Sequence, residues 1–521
     1  MEDNRRIVII TDLRTKEARD AASYLAGLGY DVRPVPEDIP LWDEEALRNW
    51  AQPFAAELRG VIHPAPPFLH GGIEEVTEEQ WDKNSYEGPV AALIVTKVFG
   101  MILRESGKGG AIIYLNSIHA EKPAGKGLLF SIACGAVQML NREINQDYGE
   151  FNVNTYFVQR GPTVNDPDGK SDISSLYYGV DLRYPQRKMP EEGYLNGLLA
   201  FLLTDAAAPL AGSDLRADGG FVGYYGHRRK VEGRPYPDWR AKANQAARRD
   251  EKASQPADAE AGAQEPQPAE EEKRVALVTG SGKGVGAGVI RVLTRHGIRC
   301  CINCNSNPAM AEKLLEEVQS YGGEAFVYQA DITKPEQLRG MVQAIIEHYG
   351  RLDILVNNAA MQPNKYVDQY TAEEFRKLWE INIGGYFHAT RECLPYLKQS
   401  PKPRIVNVSS IHGKRPTSFD SGYAMTKGAI RMFTRELAME VYQFGGRANT
   451  IDLGGCKIEF KTGGFDMESY RSTDTFNPDI KDRFFTVFPE DVGQMVWYLA
   501  NDTGDGINGA GIRIDRGLAL S

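Results

Sequence analysis

The sequence predicts an α/β protein made of two doubly wound parallel-sheet domains in tandem. Strand-like apolar segments alternate with helix-like segments, as a parallel sheet covered by helices on both faces requires. A low-complexity stretch divides this alternation into two blocks, and landmarks of the first block recur in the second. We therefore predict a first domain over residues 1–240, a linker over 241–272 and a second domain over 273–521.

The linker is defined by its composition. Residues 241–272 consist mainly of Ala, Glu, Gln and Pro, with neither an aromatic nor a large aliphatic residue. Such a segment cannot bury enough apolar surface to offset chain entropy, so we expect a flexible connection.

The second block opens with Val275-Ala-Leu-Val, an apolar run that ends in Thr-Gly and predicts a buried parallel strand. A helix to about residue 296 follows it. Further strands are predicted at 300–302, 325–328, 354–356 and 405–408, and helical segments between them include 314–321 and 336–349.

The first block repeats this order. Ile7-Val-Ile-Ile-Thr matches the first strand of the second block, and Ser117-Ile-His recurs as Ser410-Ile-His. Near the end of each block, Leu210-Ala-Gly-Ser-Asp parallels Ile507-Asn-Gly-Ala-Gly. We expect two copies of one fold, in which loop insertions change the spacing between landmarks.

Composition argues against several classes of protein. The formal net charge of −10 disfavours a nucleic-acid-binding protein, which needs clustered Lys and Arg. Cys300, Cys301 and Cys304 lack a second Cys/His pair at zinc spacing, so we expect no metal site. The start of the chain lacks a signal-peptide pattern, and no apolar run approaches the roughly 18 residues of a membrane helix. We expect a reduced, cytoplasmic protein without membrane attachment.

A glycine-rich turn follows the first strand of the second block. It reads Thr279-Gly-Ser-Gly-Lys-Gly-Val-Gly286 and leads into a helix. Glycines there let backbone N–H groups approach a pyrophosphate at the positive end of the helix. The alternative is a tight strand-to-helix turn without a ligand. As dinucleotide contacts the motif proposes Gly280, Ser281, Lys283, Gly284, Val285 and Gly286.

A second motif, Asn357-Asn-Ala-Ala360, ends the strand at 354–356. Asn357 can hydrogen-bond neighbouring strand ends and so hold the floor of a cofactor cleft. Its alternative role is that of an ordinary capping or turn residue.

The group that carries the chemistry is Ser410, Tyr423 and Lys427. Tyr423 and Lys427 are four residues apart, so they share one helix face and can point into one cleft. A phenol is a poor base at neutral pH, and we expect the ammonium and a positive nicotinamide ring to lower the pKa of Tyr423. Ser410 can donate a hydrogen bond to a substrate carbonyl oxygen as negative charge develops.

Together these motifs resemble the short-chain dehydrogenase/reductase family over essentially all of residues 273–521. The resemblance implies a Rossmann-like fold and a role for Asn382, 28 residues before Ser410, in holding a water of the proton relay. It also implies cofactor contacts for Asp331, Ile332, Asn357, Ala359 and Gly454, besides Tyr423 and Lys427. For Asp331, at the adenine, a helix N-cap is the alternative. Leu453 and Ala360 replace the usual Pro and Gly, which we expect to alter loop geometry only.

The end of the second strand indicates the nicotinamide cofactor. An NAD-preferring enzyme carries a carboxylate there to bind the ribose diol, and this sequence has Cys304. Asn305 and Ser306 can donate to a 2′-phosphate, and Lys283 adds positive charge. We therefore favour NADP(H), with NAD(H) as the alternative.

The first block lacks these chemical groups. Gly280, Gly284 and Gly286 become Asp12, Lys16 and Ala18; Asn357 becomes His63; and Asn382 becomes Gly88. Ser410 survives as Ser117, but Tyr423 and Lys427 become Phe130 and Cys134. We expect the first domain neither to bind NADP(H) in the usual way nor to catalyse, and Ser117 to be a relic or a strand-end hydrogen-bonding residue.

The leading functional hypothesis is an NADP(H)-dependent oxidoreductase that interconverts a ketone and a secondary alcohol. The substrate is a small molecule of the 3-oxoacyl thioester or the sugar and polyol type; the sequence favours neither. The alternative is an NADP(H)-binding scaffold or regulator without turnover. Family members commonly pair through long helices, so we expect the first domain to occupy a subunit's place and two fused chains to form a pseudo-tetramer.

Overall fold

The computed structural model describes residues 6–161, 193–218, 273–416, 420–457, 487–501 and 504–515. These residues form two parallel sheets, one in each half of the chain. The predicted linker, 241–272, and most of the segment between residues 456 and 488 that we expect to set substrate specificity lie outside the described residues.

The first half contains a six-stranded sheet in the order β2-β1-β3-β4-β5-β6, with every pair parallel. Its strands are β1 Ile7–Ile10, β2 Asp31–Pro34, β3 Leu58–Pro64, β4 Gly110–Ser117, β5 Val153–Arg160 and β6 Asp214–Ala217. Its helices are α1 Lys16–Gly27, α2 Glu44–Ala51, α3 Glu78–Ser85, α4 Ala91–Glu105, α5 Leu128–Tyr148 and α6 Asn196–Leu202.

The second half contains a seven-stranded sheet in the order β13-β12-β11-β10-β7-β8-β9, again parallel throughout. Its strands are β7 Val275–Val278, β8 Arg299–Cys304, β9 Ala325–Gln329, β10 Ile354–Asn357, β11 Arg404–Ser410, β12 Arg447–Leu453 and β13 Gly511–Ile514. Its helices are α7 Gly284–Arg295, α8 Pro308–Ser320, α9 Pro335–Tyr349, α10 Ala372–Trp379, α11 Gly385–Leu397, α12 Ser421–Val441 and α13 Pro489–Ala500. The strand order reverses between β7 and β10, and ligands bind at such switch points in open α/β sheets.

The two halves match element by element, with one exception. Helices α1 and α7 begin 268 positions apart, whereas the π-helical turns Tyr86–Val90 and Glu380–Gly384 begin 294 positions apart. Among the described residues, the first half has no counterpart of β9. Our expectation that loop insertions explain the changed spacing is therefore wrong for this step, since an entire strand–helix unit accounts for it.

The two halves pack together through their longest helices, α5 and α12. The helices cross where Gly135 meets Gly428; a Cβ added at Gly428 would lie 2.5 Å from the Gly135 carbonyl oxygen. One continuous cluster of buried apolar side chains includes residues of both halves, among them Phe130 and Phe433. The first half therefore buries one face of α12.

One helical run, residues 78–105, differs from the expectation that no apolar segment is long enough for a membrane helix. This helical run, which includes α3 and α4, is long and apolar enough to cross a membrane by length and composition, contrary to our reading of the sequence. However, 83% of its most apolar 18-residue window is buried inside the protein. Such burial is typical of a core helix.

Candidate active site

The glycine-rich turn forms an open cradle at the start of α7. Gly280 and Gly284 have φ of +60° and +58°, in the left-handed region that favours glycine. A Cβ at Gly286 would lie 2.6 Å from Ser281 Cα, so no larger residue fits there. Lys283 is the N-cap residue and offers no side-chain acceptor to the first helical turn, because an ammonium only donates. The N–H groups of this turn thus suit an anion.

Asn303 and Asn358, which the sequence analysis did not propose as site residues, fix the backbone of the glycine-rich turn. Asn303, inside β8, accepts a hydrogen bond from Gly280 N through Oδ1 (2.9 Å) and from Ser281 N through its carbonyl oxygen (2.8 Å). Asn358 Nδ2 donates to the carbonyl oxygens of Thr279 (2.9 Å) and Gly280 (3.2 Å). A buried Asn in an otherwise apolar strand was the available signal for Asn303.

The structure brings Ser410, Tyr423 and Lys427 together, as predicted. Tyr423 and Lys427 lie one turn apart on α12, with Lys427 Nζ 5.3 Å from the centre of the Tyr423 ring. Ser410, the last residue of β11, forms a hydrogen bond with the Tyr423 phenol. The Ser410 hydroxyl also accepts from His412 N (3.2 Å), which fixes the strand end.

Burial dominates the electrostatics of this group. Lys427 is almost fully buried, and burial lowers its pKa to about 7, although the negative charge of Asp452 acts in the opposite direction. Its ammonium donates to the Val408 carbonyl oxygen (3.1 Å).

The pKa of Tyr423 differs from our expectation. Burial raises the pKa of this phenol above its ordinary value, and the charge of Asp420 raises it further, whereas the hydrogen bond with Ser410 lowers it. The prediction that the neighbouring ammonium brings this pKa down is therefore wrong for the protein's own groups.

Asn382 lies in the π-helical turn between α10 and α11 and is fully buried. Its Nδ2 donates to Met361 O (2.9 Å) and Thr426 Oγ1 (3.0 Å), and its Oδ1 accepts from Met361 N (2.8 Å). The side chain thus ties the loop after β10 to α12. Both amide hydrogens of Asn382 are thus donated to protein acceptors. The water that we expect here would therefore contact Oδ1 or the backbone of Asn382.

Asn357 connects β10 to the neighbouring strand and helix, as its sequence position indicates. It is fully buried, and Nδ2 donates to Asn407 Oδ1 (2.8 Å) and Thr390 Oγ1 (3.2 Å). We predicted a cofactor contact for it as well, but the burial gives it a structural role. Ala359 N donates to Thr279 Oγ1 (3.2 Å), which connects the Asn-Asn-Ala motif to the glycine-rich turn.

The end of β8 carries the residues predicted to select the cofactor. Cys304 is buried and its carbonyl oxygen accepts from Ala330 N (2.9 Å), whereas Asn305 and Ser306 are exposed. Lys283 is also exposed, at the start of the neighbouring helix. Polar and cationic side chains therefore surround this strand end.

Asp331 is not a helix N-cap. Its Oδ1 accepts from Thr333 N (2.9 Å) and Thr333 Oγ1 (2.8 Å) in a local turn, and Lys334 occupies the N-cap position of α9. Ile332 is buried against Gly385. The predicted adenine contact of Asp331 stays a prediction.

Leu453 is the last residue of β12, and Gly454 follows it in the chain. Leu453 pairs with Ser410 in the sheet register, and its carbonyl oxygen accepts from the Ser410 hydroxyl (3.3 Å). Gly454 N donates to Ile514 O (2.9 Å). The strand thus continues in regular pairing without the usual Pro.

The residue correspondence that the sequence predicts between the two halves holds in the structure. Phe130 and Cys134 occupy the positions on α5 that Tyr423 and Lys427 occupy on α12, and both are buried. Ser117 accepts from His119 N (3.3 Å), as Ser410 does from His412 N. Ser117 is therefore a strand-end hydrogen-bonding residue.

Ion pairs occupy the first half's equivalent of the glycine cradle. Asp12 accepts from Arg14 N (2.7 Å) and Arg14 Nε (2.8 Å), and Arg14 extends to Glu87 Oε2 (2.9 Å) in the π-helical turn. The Thr15 side chain caps α1, and Glu17 adds a carboxylate to its first turn. The helix N-terminus is thus satisfied by the protein's own groups.

The site combines a buried lysine, a phenol and a serine with a glycine-rich turn at the switch point of a parallel sheet. This combination defines a nicotinamide-dependent oxidoreductase. The chain belongs to the short-chain dehydrogenase/reductase family, as a tandem fusion of two such units. The family described as short chain dehydrogenase matches residues 274–468. The family described as enoyl-(acyl carrier protein) reductase matches residues 4–222.

Individual relatives agree with this assignment. A hydroxynaphthalene reductase of Aspergillus fumigatus is 30% identical over 45% of this chain and 89% of its own length. A probable tetrahydroxynaphthalene reductase of Zymoseptoria tritici is 32% identical, covering 46% of this chain and 93% of its own. A D-beta-hydroxybutyrate dehydrogenase of Rhizobium meliloti is 28% identical over 47% and 98%. The chain is therefore an enzyme acting on hydroxyl or ketone groups.

A solved structure of a Serratia marcescens short-chain dehydrogenase/reductase with two substitutions also matches. It has a TM-score of 0.43 and 23% identity, covering 47% of this chain and 97% of that chain.

Proposed function

We propose that this protein is an NADP(H)-dependent oxidoreductase that interconverts a ketone and a secondary alcohol in its second half. The observation that supports it is the convergence of Ser410, Tyr423 and Lys427 in the half that also carries the glycine-rich turn. The first half then serves as a structural partner without catalysis.

The residues present fit a pyridine dinucleotide. Gly280, Gly284 and Gly286 would receive the pyrophosphate, because a Cβ at Gly286 would fill the cradle. Asn305, Ser306 and Lys283 would hold a 2′-phosphate, since this strand end carries no carboxylate to repel it. When bound, the nicotinamide supplies or accepts the hydride.

Each catalytic side chain has a separate task in this proposal. Tyr423 exchanges a proton with the substrate oxygen, and Ser410 donates a hydrogen bond to that oxygen as its charge grows. Lys427, whose Nζ lies 5.3 Å from the centre of the Tyr423 ring, would hold the ribose. A positive nicotinamide ring would favour the phenolate form of Tyr423 against the burial that raises the pKa of this phenol.

The substrate is proposed as a small ketone or secondary alcohol of the 3-oxoacyl thioester or the sugar and polyol type. A 27% identical glucose 1-dehydrogenase of Bacillus subtilis supports the sugar type. The hydroxybutyrate dehydrogenase relative supports a substrate with a 3-hydroxy or 3-oxo group, as a free acid rather than a thioester.

The residues at the equivalent positions of the first half are the reason why we propose that this half is inactive. Phe130 has no ionisable hydroxyl, Cys134 has no ammonium, and Asp12 sets a carboxylate where a pyrophosphate would lie. Calorimetric titration of the full chain with NADPH should therefore give one site per chain. Two sites would contradict the proposal for this half.

Tyr423→Phe tests the catalytic proposal. A panel of ketones and thioesters is screened against NADPH oxidation, and the best substrate is used for both variants. Removal of the hydroxyl should lower kcat by about 10²–10⁴-fold. Tyr442→Phe, at an exposed tyrosine just after α12, is the matched control and should keep full turnover. Equal turnover of wild type and Tyr423→Phe would refute the mechanism and favour a cofactor-binding scaffold.

We also propose that the enzyme works in the cytoplasm and that two fused chains associate into a pseudo-tetramer. All six cysteines are free thiols, which suits a reducing compartment. Light scattering should give a mass of two chains.

A further inference from the structure

The three residues that precede Tyr423 are each held by a group outside α12. Asp420, the N-cap residue of α12, accepts a hydrogen bond from the Tyr370 hydroxyl (3.0 Å). Ser421 donates to Asp147 Oδ2 (3.2 Å), which belongs to the first half. Gly422 lies under the Tyr370 ring, where a Cβ would be 2.7 Å from Tyr370 Cζ. The start of the catalytic helix is thus fixed from two sides.

Tyr370 is anchored in turn by the first half. Lys97, in the middle of α4, donates to the Tyr370 carbonyl oxygen (2.8 Å) and to Glu44 Oε2 (2.7 Å). Lys97 is only 7% exposed, and Tyr370 is fully buried. A buried ammonium is retained only where it is paired, so this bond fixes both partners.

We infer that the first half holds the catalytic helix in position, with Lys97 as a positioning residue for Tyr423. The contacts run from Glu44 through Lys97 to Tyr370, and from the Tyr370 hydroxyl to the N-cap of α12. Asp147 adds a second contact from the first half at Ser421. The inactive half would therefore contribute to the geometry of the active site as well as covering an apolar face.

The reverse contact across the interface provides a matched control. Arg391, at the position on α11 that corresponds to Lys97 on α4, donates to Val76 O (3.2 Å), and Val76 corresponds to Tyr370. Arg391 also pairs with Glu78 of the first half. By this equivalence the contact lies at the position in the first half that matches Tyr370, and the first half has Phe130 in place of Tyr423. Breaking either contact weakens the interface, but only the Lys97 contact leads to the catalytic tyrosine.

The experiment compares Lys97→Met, Lys97→Arg and Arg391→Met in the full chain. Melting temperature, hydrogen–deuterium exchange of peptides covering 420–427, and kcat and KM with NADPH are measured for each. This inference rests on the proposed function for its kinetic part only. Lys97→Met should lower kcat about tenfold, because small misplacement of a catalytic group is costly, while KM for NADPH changes less than about twofold.

The expected pattern separates positioning from stability. Both methionine variants should lower the melting temperature, but only Lys97→Met should speed exchange at 420–427, and Lys97→Arg should restore both slow exchange and kcat. Equal kcat and equal exchange in Lys97→Met and Arg391→Met would overturn the inference. If Lys97→Met does not fold, Asp147→Ala replaces it, with the same result expected. Full turnover in Tyr423→Phe would refute the proposed function, while the exchange data would still decide the positioning role.

Discussion

Trp379 and Ser85 occupy equivalent positions, as the last residues of α10 and α3, and the Trp379 indole N–H donates to the Ser85 hydroxyl across the two halves. Trp81 Nε1 donates to Glu380 Oε1 (2.9 Å), and Trp379 Nε1 donates to Ser85 Oγ (3.1 Å). Both rings are almost fully buried. Each half thus receives an indole hydrogen bond from the other, but the two bonds involve different positions of the repeat, because the counterpart of Trp81 on α10 is Phe375.

Trp81→Ala should destabilise the whole chain. The Trp81 ring stacks on Phe387 at 4.4 Å between ring centres, so truncation leaves a cavity across the interface. We expect a loss of about 3–5 kcal/mol in the free energy of unfolding, measured by denaturant titration. Trp497→Ala, which removes a half-buried ring stacked on His296 within the second half, should cost less. Separate unfolding of the two halves in wild type would contradict a shared core.

Activity should depend on the charge of Lys427. Burial lowers the pKa of Lys427 to about 7 and Asp452 raises it, so the ammonium is present below this pH and is lost as pH rises through it. We expect kcat/KM for NADPH to fall above pH about 7. Asp452→Asn removes the opposing charge and should move this fall to lower pH. Glu105→Gln, at an exposed carboxylate on α4, should leave the profile unchanged.

Cofactor preference should change at Asn305. Asn305→Asp sets a carboxylate at an exposed site beside Ser306, where it would repel a 2′-phosphate but not a ribose diol. We expect KM for NADPH to rise about tenfold, which is the effect of about 1.4 kcal/mol, with little change for NADH. Asn305→Ala separates charge repulsion from a lost hydrogen bond. An unchanged NADPH/NADH ratio would argue against the proposed 2′-phosphate site.

Stability should fall as pH rises because of Glu440. Burial raises the pKa of Glu440 to about 7, although Ile73 N of the first half donates to it (3.1 Å). The folded chain thus holds this proton up to about pH 7 and the unfolded chain releases it near pH 4, so ionisation costs stability across that window. The melting temperature of Glu440→Gln should exceed that of wild type more at pH 8 than at pH 5. Glu105→Gln should show no such dependence.

Local sequence patterns predicted most elements of the second half closely. The strand expected at 325–328 spans Ala325–Gln329, and the helix expected at 336–349 spans Pro335–Tyr349. The Ser410, Tyr423 and Lys427 group follows from helical periodicity and strand ends alone. The alternative role of Asp331 as a helix N-cap is wrong, because Pro335 starts the helix four residues later and makes Lys334 its N-cap.

The sequence by itself determined the two-fold repeat, the sheets and the side chains proposed for catalysis, because periodicity and motif spacing depend on neighbours along the chain. Only the tertiary structure decided how Lys97, Tyr370 and Asp420 connect the halves, and that burial raises the pKa of Tyr423. The physical reason is that these effects come from residues far apart in sequence that packing desolvates together. Hydrogen-bond partners and dielectric environment are set by that packing.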